Sequence, residues 1–274
     1  MSSCNHAVVS GAFDDLKSPD IRFLQEAGKL GGLTVLVAPD VSIQRTTGKP
    51  PKFPLAERLY FLNALRYVGR AIPMDAHAAP DDLPAMPGPR PDIWADVDAT
   101  ANAAREKLAR ENGIAYRVFE AGELQGFPEP PPMPSAPGRK KIIATGCYDW
   151  VHSGHVRFTE EASTHGDLYV CLGSDANVRL LKGPGHPLLT QEERRYVVGS
   201  IKFVKQALIT TGTGWVDADP EIRRLKPDIY VVNEDGDKGG KREYCRELGI
   251  EYLVLKRVPA PGLAARSSTI LRGF

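Results

Sequence analysis

Short apolar runs rich in β-branched residues alternate along this chain with stretches whose apolar residues recur at helical spacing. In the second half, 141–145, 168–173, 206–210, 228–232 and 251–255 read as strands. The stretches 153–164, 190–202, 219–225 and 239–248 read as helices. Lys140 to Ala144 is apolar enough for a central strand of a parallel sheet, buried on both faces. Thr190 stands three residues before Glu193, a capping-box pattern at a helix start. Such alternation predicts right-handed βαβ crossovers and a parallel sheet with helices on both faces, an α/β class. Ligands of such sheets bind beyond the carboxyl ends of the strands.

The pattern occurs twice. Val9-Ser-Gly-Ala-Phe-Asp14 parallels Ala144-Thr-Gly-Cys-Tyr-Asp149, and Ile21-Arg-Phe23 parallels Val156-Arg-Phe158, each pair 135 residues apart. Leu33 to Asp40 parallels Leu168 to Asp175 at the same offset. Glu57-Arg58 and Glu193-Arg194, Pro91-Asp-Ile93 and Pro227-Asp-Ile229, and Gly113 to Tyr116 and Gly249 to Tyr252 are 136 apart. A near-constant offset over a hundred residues indicates two copies of one fold. Between them lies Phe127-Pro-Glu-Pro-Pro-Pro-Met-Pro-Ser-Ala-Pro-Gly138, a semi-rigid segment unable to join a sheet or helix. Domains are expected at 1–126 and 139–274, with 127–138 as linker. The copies are expected to pack as an intrachain pseudo-dimer, with a homodimer of chains as the further option.

Composition narrows the class. The chain has 274 residues, 42% apolar and 25% charged, an ordinary globular balance with length for one large or two typical domains. A net charge of +1 gives no electrostatic case for nucleic acid or an anionic membrane. No run approaches the ~20 apolar residues of a membrane span. Met1 to His6 lacks signal-peptide features, and the four cysteines (Cys4, Cys147, Cys171, Cys245) have no paired spacing. A cytoplasmic protein with reduced thiols is the expectation.

The candidate chemistry lies after the strand at 140–144. Gly146 allows a sharp turn, and a helix then opens with His152 and His155 on one face, Gly154 between them. A helix start offers free N–H groups and partial positive charge to a phosphate, and two imidazoles add directed donors. Cys147-x4-His152-x2-His155 is not a usual zinc set, so no resident metal is expected.

Thr145-Gly-Cys-Tyr-Asp-Trp-Val-His-Ser-Gly-His155 resembles the signature of the HxGH nucleotidyltransferases, and within them the cytidylyltransferases, most closely the tandem ethanolamine-phosphate cytidylyltransferases. The resemblance implies two tandem Rossmann-like domains, CTP and a small phospho-alcohol as substrates, Mg²⁺ accompanying the nucleotide, and a CDP-alcohol plus pyrophosphate as products. Its catalytic groups would be His152, His155 and Lys182. Nucleotide contacts are implied from Thr145, Gly146, Cys147, Tyr148, Asp149 and Gly154 in the signature. Lys182-Gly-Pro…Thr190-Gln-Glu-Glu-Arg194 matches a family segment in which the lysine meets phosphate and the helix carrying Arg194 borders the site. Asn233 and Asp235 occupy the family's turn near base and substrate. Arg266-Ser-Ser-Thr269 resembles the family's closing Ser/Thr segment, with Ser267, Ser268 and Thr269 on the triphosphate tail and either Arg257 or Arg266 reaching it. Asp149, Trp215 and Asp235 are the implied substrate contacts; an aromatic such as Trp215 suits a substrate ammonium. His186 has no family counterpart and reads as loop surface.

The implied reaction is direct displacement at the α-phosphate of CTP, driven by positioning and electrostatics. Two alternatives stand beside it: an adenylyltransferase of the same superfamily acting on a sugar phosphate or flavin precursor, and a non-catalytic nucleotide-binding scaffold. The first copy departs from the signature where chemistry would be. Lys17, Pro19 and Asp20 stand where His152, Gly154 and His155 stand, and Pro80, Pro84, Pro87, Pro89 and Pro91 fill the counterpart of 215–227. It is therefore expected to be degenerate, leaving one nucleotide per chain, in the second half.

Overall fold

The computed structural model describes residues 5–77, 82, 87–88 and 90–268. It forms two compact units, divided between Gly126 and Phe127. Each carries a five-stranded sheet, and every strand pairing is parallel.

In the first unit the elements are β1 (His6–Gly11), α1 (Ser18–Gly28), β2 (Gly32–Val37), α2 (Asp40–Thr47), α3 (Leu55–Asn63), β3 (Arg70–Pro73), β4 (Ile93–Val97), α4 (Ala103–Glu111) and β5 (Ala115–Phe119). In the second they are β6 (Lys141–Gly146), α5 (Ser153–Ser163), β7 (Asp167–Leu172), α6 (Asp175–Lys182), α7 (Gln191–Gly199), β8 (Val204–Ile209), α8 (Asp219–Leu225), β9 (Ile229–Asn233), α9 (Lys241–Leu248) and β10 (Glu251–Leu255). Strand orders are β3-β2-β1-β4-β5 and β10-β9-β6-β7-β8, the same arrangement twice. The repeat offsets hold element by element: β1, α1, β2 and α2 return 135 residues later as β6, α5, β7 and α6 with identical lengths.

Hydrophobic burial places the first strand of each copy at the centre. Ala7, Val8 and Val9, and Ile142, Ile143 and Ala144, have no exposed surface. The order in which successive strands are added reverses beside these strands, at the β1/β4 and β6/β9 boundaries, while all strands remain parallel. Helix α6 lies where no helix was expected; Ser174 caps it by accepting from the Asn177 N–H at 3.2 Å. Helix α7 stops at Gly199, three residues before the expected end, where the chain passes Pro130 and Ala207 so closely that a Cβ would sit 3.1 Å from the proline ring.

The Pro-rich segment 127–138 forms no helix or strand but lies on the second unit. Phe127 meets the Tyr196 ring at 6.0 Å, Glu129 pairs with Arg195 at 3.0 Å, and the Met133 N–H donates to the Lys205 carbonyl of edge strand β8 at 3.0 Å. Its prolines supply no donors, so the one residue with a free N–H between Pro132 and Pro134 makes the strand contact.

Candidate active site

Register explains why a crevice opens after β6. That strand pairs with β7 over six residues, Lys141 to Gly146, but with β9 only at Ile142 and Ile143. Beyond Ile143 the two strands part, and the gap is bridged by Thr145 Oγ1 and the Tyr230 hydroxyl at 2.6 Å. Crevices of this kind, at the carboxyl ends of strands beside a reversal of order, are where open α/β sheets hold ligands.

Helix α5 begins at the mouth of the crevice with His152 as its cap. His152 Nδ1 accepts from the Gly154 N–H at 3.1 Å, and His155 Nδ1 lies 3.4 Å from the His152 N–H. Both Nδ1 atoms face backbone donors, so in the neutral rings the hydrogen sits on Nε2. The capping arrangement thus turns two histidines into two N–H donors with fixed tautomers. The rings are 4.1 Å apart, and Tyr148 lies against His155 at 5.2 Å. Two glycines make room. A Cβ at Gly154 would come within 3.0 Å of the His152 ring, and one at Gly146 within 2.8 Å of the Tyr148 ring, whose residue holds φ 52°.

Burial holds the His155 imidazole well below its ordinary 6.5, and nearby His152, Arg257 and Lys182 push it the same way. His155 is therefore neutral near pH 7. The unfolded chain takes up this proton near 6.5 and the folded chain only at lower pH. Stability is complete above 6.5 and lost as pH falls below it, because the unfolded state then binds more protons. The melting midpoint is expected to drop on acidification from about pH 7.5 to 5.5, by at most about 1.4 kcal/mol per pH unit from this group. His155→Gln should flatten that slope; an unchanged slope would remove His155 as its source.

Two charged residues expected to touch nucleotide do something else. Arg194 has no exposed surface. Its guanidinium donates to the carbonyls of Leu189, Cys147 and Gly173 at 3.2, 2.7 and 2.8 Å and to Asp175 at 2.7 Å. It clamps the signature turn, the end of β7 and the start of α6 behind the site. Asp149 is 3% exposed and accepts from the Leu188 and Leu189 N–H groups at 2.6 and 3.1 Å. It fixes the loop after Lys182 from the wall of the outer space. The first copy repeats both devices: Arg58 holds the Phe53, Ala12 and Ala38 carbonyls and Asp40, and Asp14 accepts from Lys52 and Phe53. Their survival there marks them as parts of the frame.

Groups that do face the crevice fall into two adjoining spaces that share Cys147, Tyr148 and His155. The inner one, about 170 Å³, is walled by Thr145, Gly146, His152, Asn233, Asp235, Lys241 and Arg257. The outer one, about 440 Å³, adds Asp149, Lys182, His186 and Ser268. Lys182 is the last residue of α6, so its ammonium is aimed by a helix rather than carried on a mobile loop. His186, expected as surface, lines this space with Nδ1 3.4 Å from Asp149. Arg257 and Arg266 are neighbours: the Arg257 guanidinium pairs with Asp235, donates to the Arg266 carbonyl at 2.8 Å and lies in the inner wall, whereas Arg266 lines only an adjacent hollow that Arg257 also borders. Ser268 donates to the Trp150 carbonyl at 3.3 Å. Ser267 lines neither space, and Thr269 lies outside the described residues. Trp215 is 58% exposed, packs edge-on to Tyr244 at 6.5 Å and lines neither space.

In the first copy the same helix start is rebuilt without its donors. Asp20 takes the place of His155 and accepts from the Lys17 N–H at 2.8 Å. The box that positions imidazoles in one copy positions a carboxylate in the other, and an anion there repels phosphate.

Comparison with known proteins agrees with this geometry. The model of the family described as cytidylyltransferase-like matches residues 143–272. An FAD synthase from Ferroglobus placidus is 37% identical over 120 residues, covering 43% of this chain and 75% of that protein. Bifunctional HldE proteins from Campylobacter curvus and Gluconobacter oxydans are 40% and 34% identical over 143 and 140 residues. Each match covers 50% of this chain, which spans only 29% and 28% of those longer relatives. With three quarters of a whole relative matched and the His152-Ser-Gly-His155 pair set at the mouth of the crevice, the chain belongs to the cytidylyltransferase-like family of HxGH nucleotidyltransferases.

Proposed function

We propose that the second unit is an adenylyltransferase, moving AMP from ATP to the phosphate of a sugar phosphate or flavin precursor. The tautomer-fixed imidazole pair at the start of α5 carries the reaction type. Likeness to an FAD synthase over most of its length favours ATP as donor. The CTP and phospho-alcohol reading drawn from the signature alone finds no counterpart in the names of these relatives.

An acceptor phosphate oxygen attacks the α-phosphorus of the nucleotide. The new P–O bond forms as the bond to the bridging oxygen breaks, and pyrophosphate leaves with that electron pair. No group on the protein becomes covalently attached. The Nε2–H groups of His152 and His155 and the free N–H groups of α5 stabilise charge growing on the transferred phosphoryl and the leaving oxygen. Lys182 in the outer space and Arg257 in the inner one serve as cations for the phosphates. Among the described residues no group of three or more His, Cys, Asp or Glu side chains could cage a metal. Mg²⁺ brought with the nucleotide would neutralise charge on the leaving pyrophosphate, with Lys182 and Arg257 meeting the remaining phosphate charge.

Pyrophosphate release with each nucleoside triphosphate against a panel of phosphorylated acceptors tests this. ATP with a hexose or heptose phosphate, or with FMN, should turn over at least about tenfold faster than CTP with ethanolamine phosphate, a preference of about 1.4 kcal/mol. The opposite order would return the CDP-alcohol reading to first place. No release from any pair would leave the scaffold reading.

A further inference from the structure

The first unit contains a cavity of about 430 Å³ of its own. It lies at the carboxyl ends of β1, β2 and β3, with Thr100 and Arg105 closing it beyond β4. We propose that this cavity is a second small-molecule site, suited to a nucleoside monophosphate and not to a triphosphate. The proposal goes beyond the reaction of the second unit, resting on that reading only in taking the duplicated fold to be a nucleotide fold.

Three sequence differences distinguish this region from its counterpart in the second unit. In the second unit Asn177 locks the loop before α8, donating to the Gly214 carbonyl at 3.1 Å and accepting its N–H at 2.7 Å. Thr210 adds a 2.7 Å bond to Asp217, whose carboxylate lies over Gly173. The first unit has Ser42 for Asn177 and Met74 for Thr210. Ser42 instead donates to the Ala76 carbonyl at 3.2 Å and accepts from Arg45 at 3.2 Å. Trp94 stands for Tyr230, so Ser10, which lines the cavity, lacks the hydroxyl that Thr145 bonds across the strand gap.

The lining dictates the ligand. Ala38, Pro39, Ile43 and Met74 supply an apolar wall suited to the face of a flat ring. Arg45 is held over the mouth by donating to the Ala76 carbonyl at 2.6 Å, with His77 beside it. Arg105 is already engaged with Asp96 at 2.5 Å, and Asp75 is an acid in the lining. The charge at the mouth therefore suits one anionic group. A triphosphate would also find Asp20 where the second unit presents His155.

Methionine-methyl NMR on the full chain reads this site directly, because Met74 lines the cavity and the chain has only four methionines. Met74→Leu identifies its signal. Millimolar AMP or CMP should shift that signal in the wild type and equally in a His152→Ala/His155→Ala double variant, whose second-unit site is disabled. Arg45→Glu should weaken the response at least tenfold, while pyrophosphate release stays at its basal rate. An unmoved Met74 signal, a response unchanged by Arg45→Glu, or a response lost in the double histidine variant would each overturn the proposal. Only that last result would trace the signal to the second unit, and the release assay judges that unit independently.

Discussion

His152→Ala and His155→Ala should each lower the rate of pyrophosphate release about 10²–10³-fold, or roughly 3–4 kcal/mol of transition-state stabilisation, as loss of one preorganised donor typically does. The two will differ in stability. His152 is 3% exposed and caps α5 through Nδ1, so its truncation also removes a helix cap, at about 1 kcal/mol. His152→Asn separates the effects. An asparagine oxygen can accept the Gly154 N–H, but the side chain cannot place a donor where Nε2 stood. Melting should return toward wild type while turnover stays low. Near-normal release from both alanine variants would remove the imidazole pair from the chemistry.

Arg194→Met should cost about 3–5 kcal/mol of stability, the usual penalty for removing one partner from a buried charge network. Asp175 is 31% exposed at its side chain and can rehydrate, so most of the cost falls on the Leu189, Cys147 and Gly173 carbonyls left without their donor. Arg194→Lys should not rescue, since an ammonium cannot reproduce a planar fork that serves three carbonyls and a carboxylate at once. Chemical denaturation reads the loss, and kinetics under folding conditions read the role. Were Arg194 a nucleotide ligand, the substitution would raise KM with the melting curve in place.

How far the chain could be read before its structure depended on the kind of signal. Strand positions were legible to within two residues because continuous apolar runs have few other uses in a soluble fold, and the repeat was legible because its offset is arithmetic. Helix α6 was not. It exposes Leu180 and Leu181, so its apolar pattern does not mark a buried face, and part of its anchorage comes from Arg194, nineteen residues on. The histidines at the crevice followed from motif and context together. Asp149 and Arg194 belong to the same signature segments, yet a sequence does not say whether a charge turns inward to backbone or outward to phosphate. Their twins Asp14 and Arg58, kept in a copy that lost its histidines, were the clue available. Lys182 and Arg257 line the crevice, although the resemblance left Arg257 and Arg266 as alternatives. His186 was passed over because its place beside Asp149 depends on a loop contact that no periodicity encodes.

The segment joining the copies has an evolutionary consequence. Once Phe127, Pro130 and Met133 had settled on Tyr196, Gly199 and the open edge of β8, the joint had become wall. A later deletion that discarded the ancestral first copy together with the joint would uncover an aromatic face and an unpaired strand edge, the kind of surface that invites aggregation. Only a break placed upstream, near Gly126, would leave the second copy clothed. The fusion therefore acts as a ratchet: the first half can drift in its chemistry, while the segment that joins it to the second is held by what it now covers.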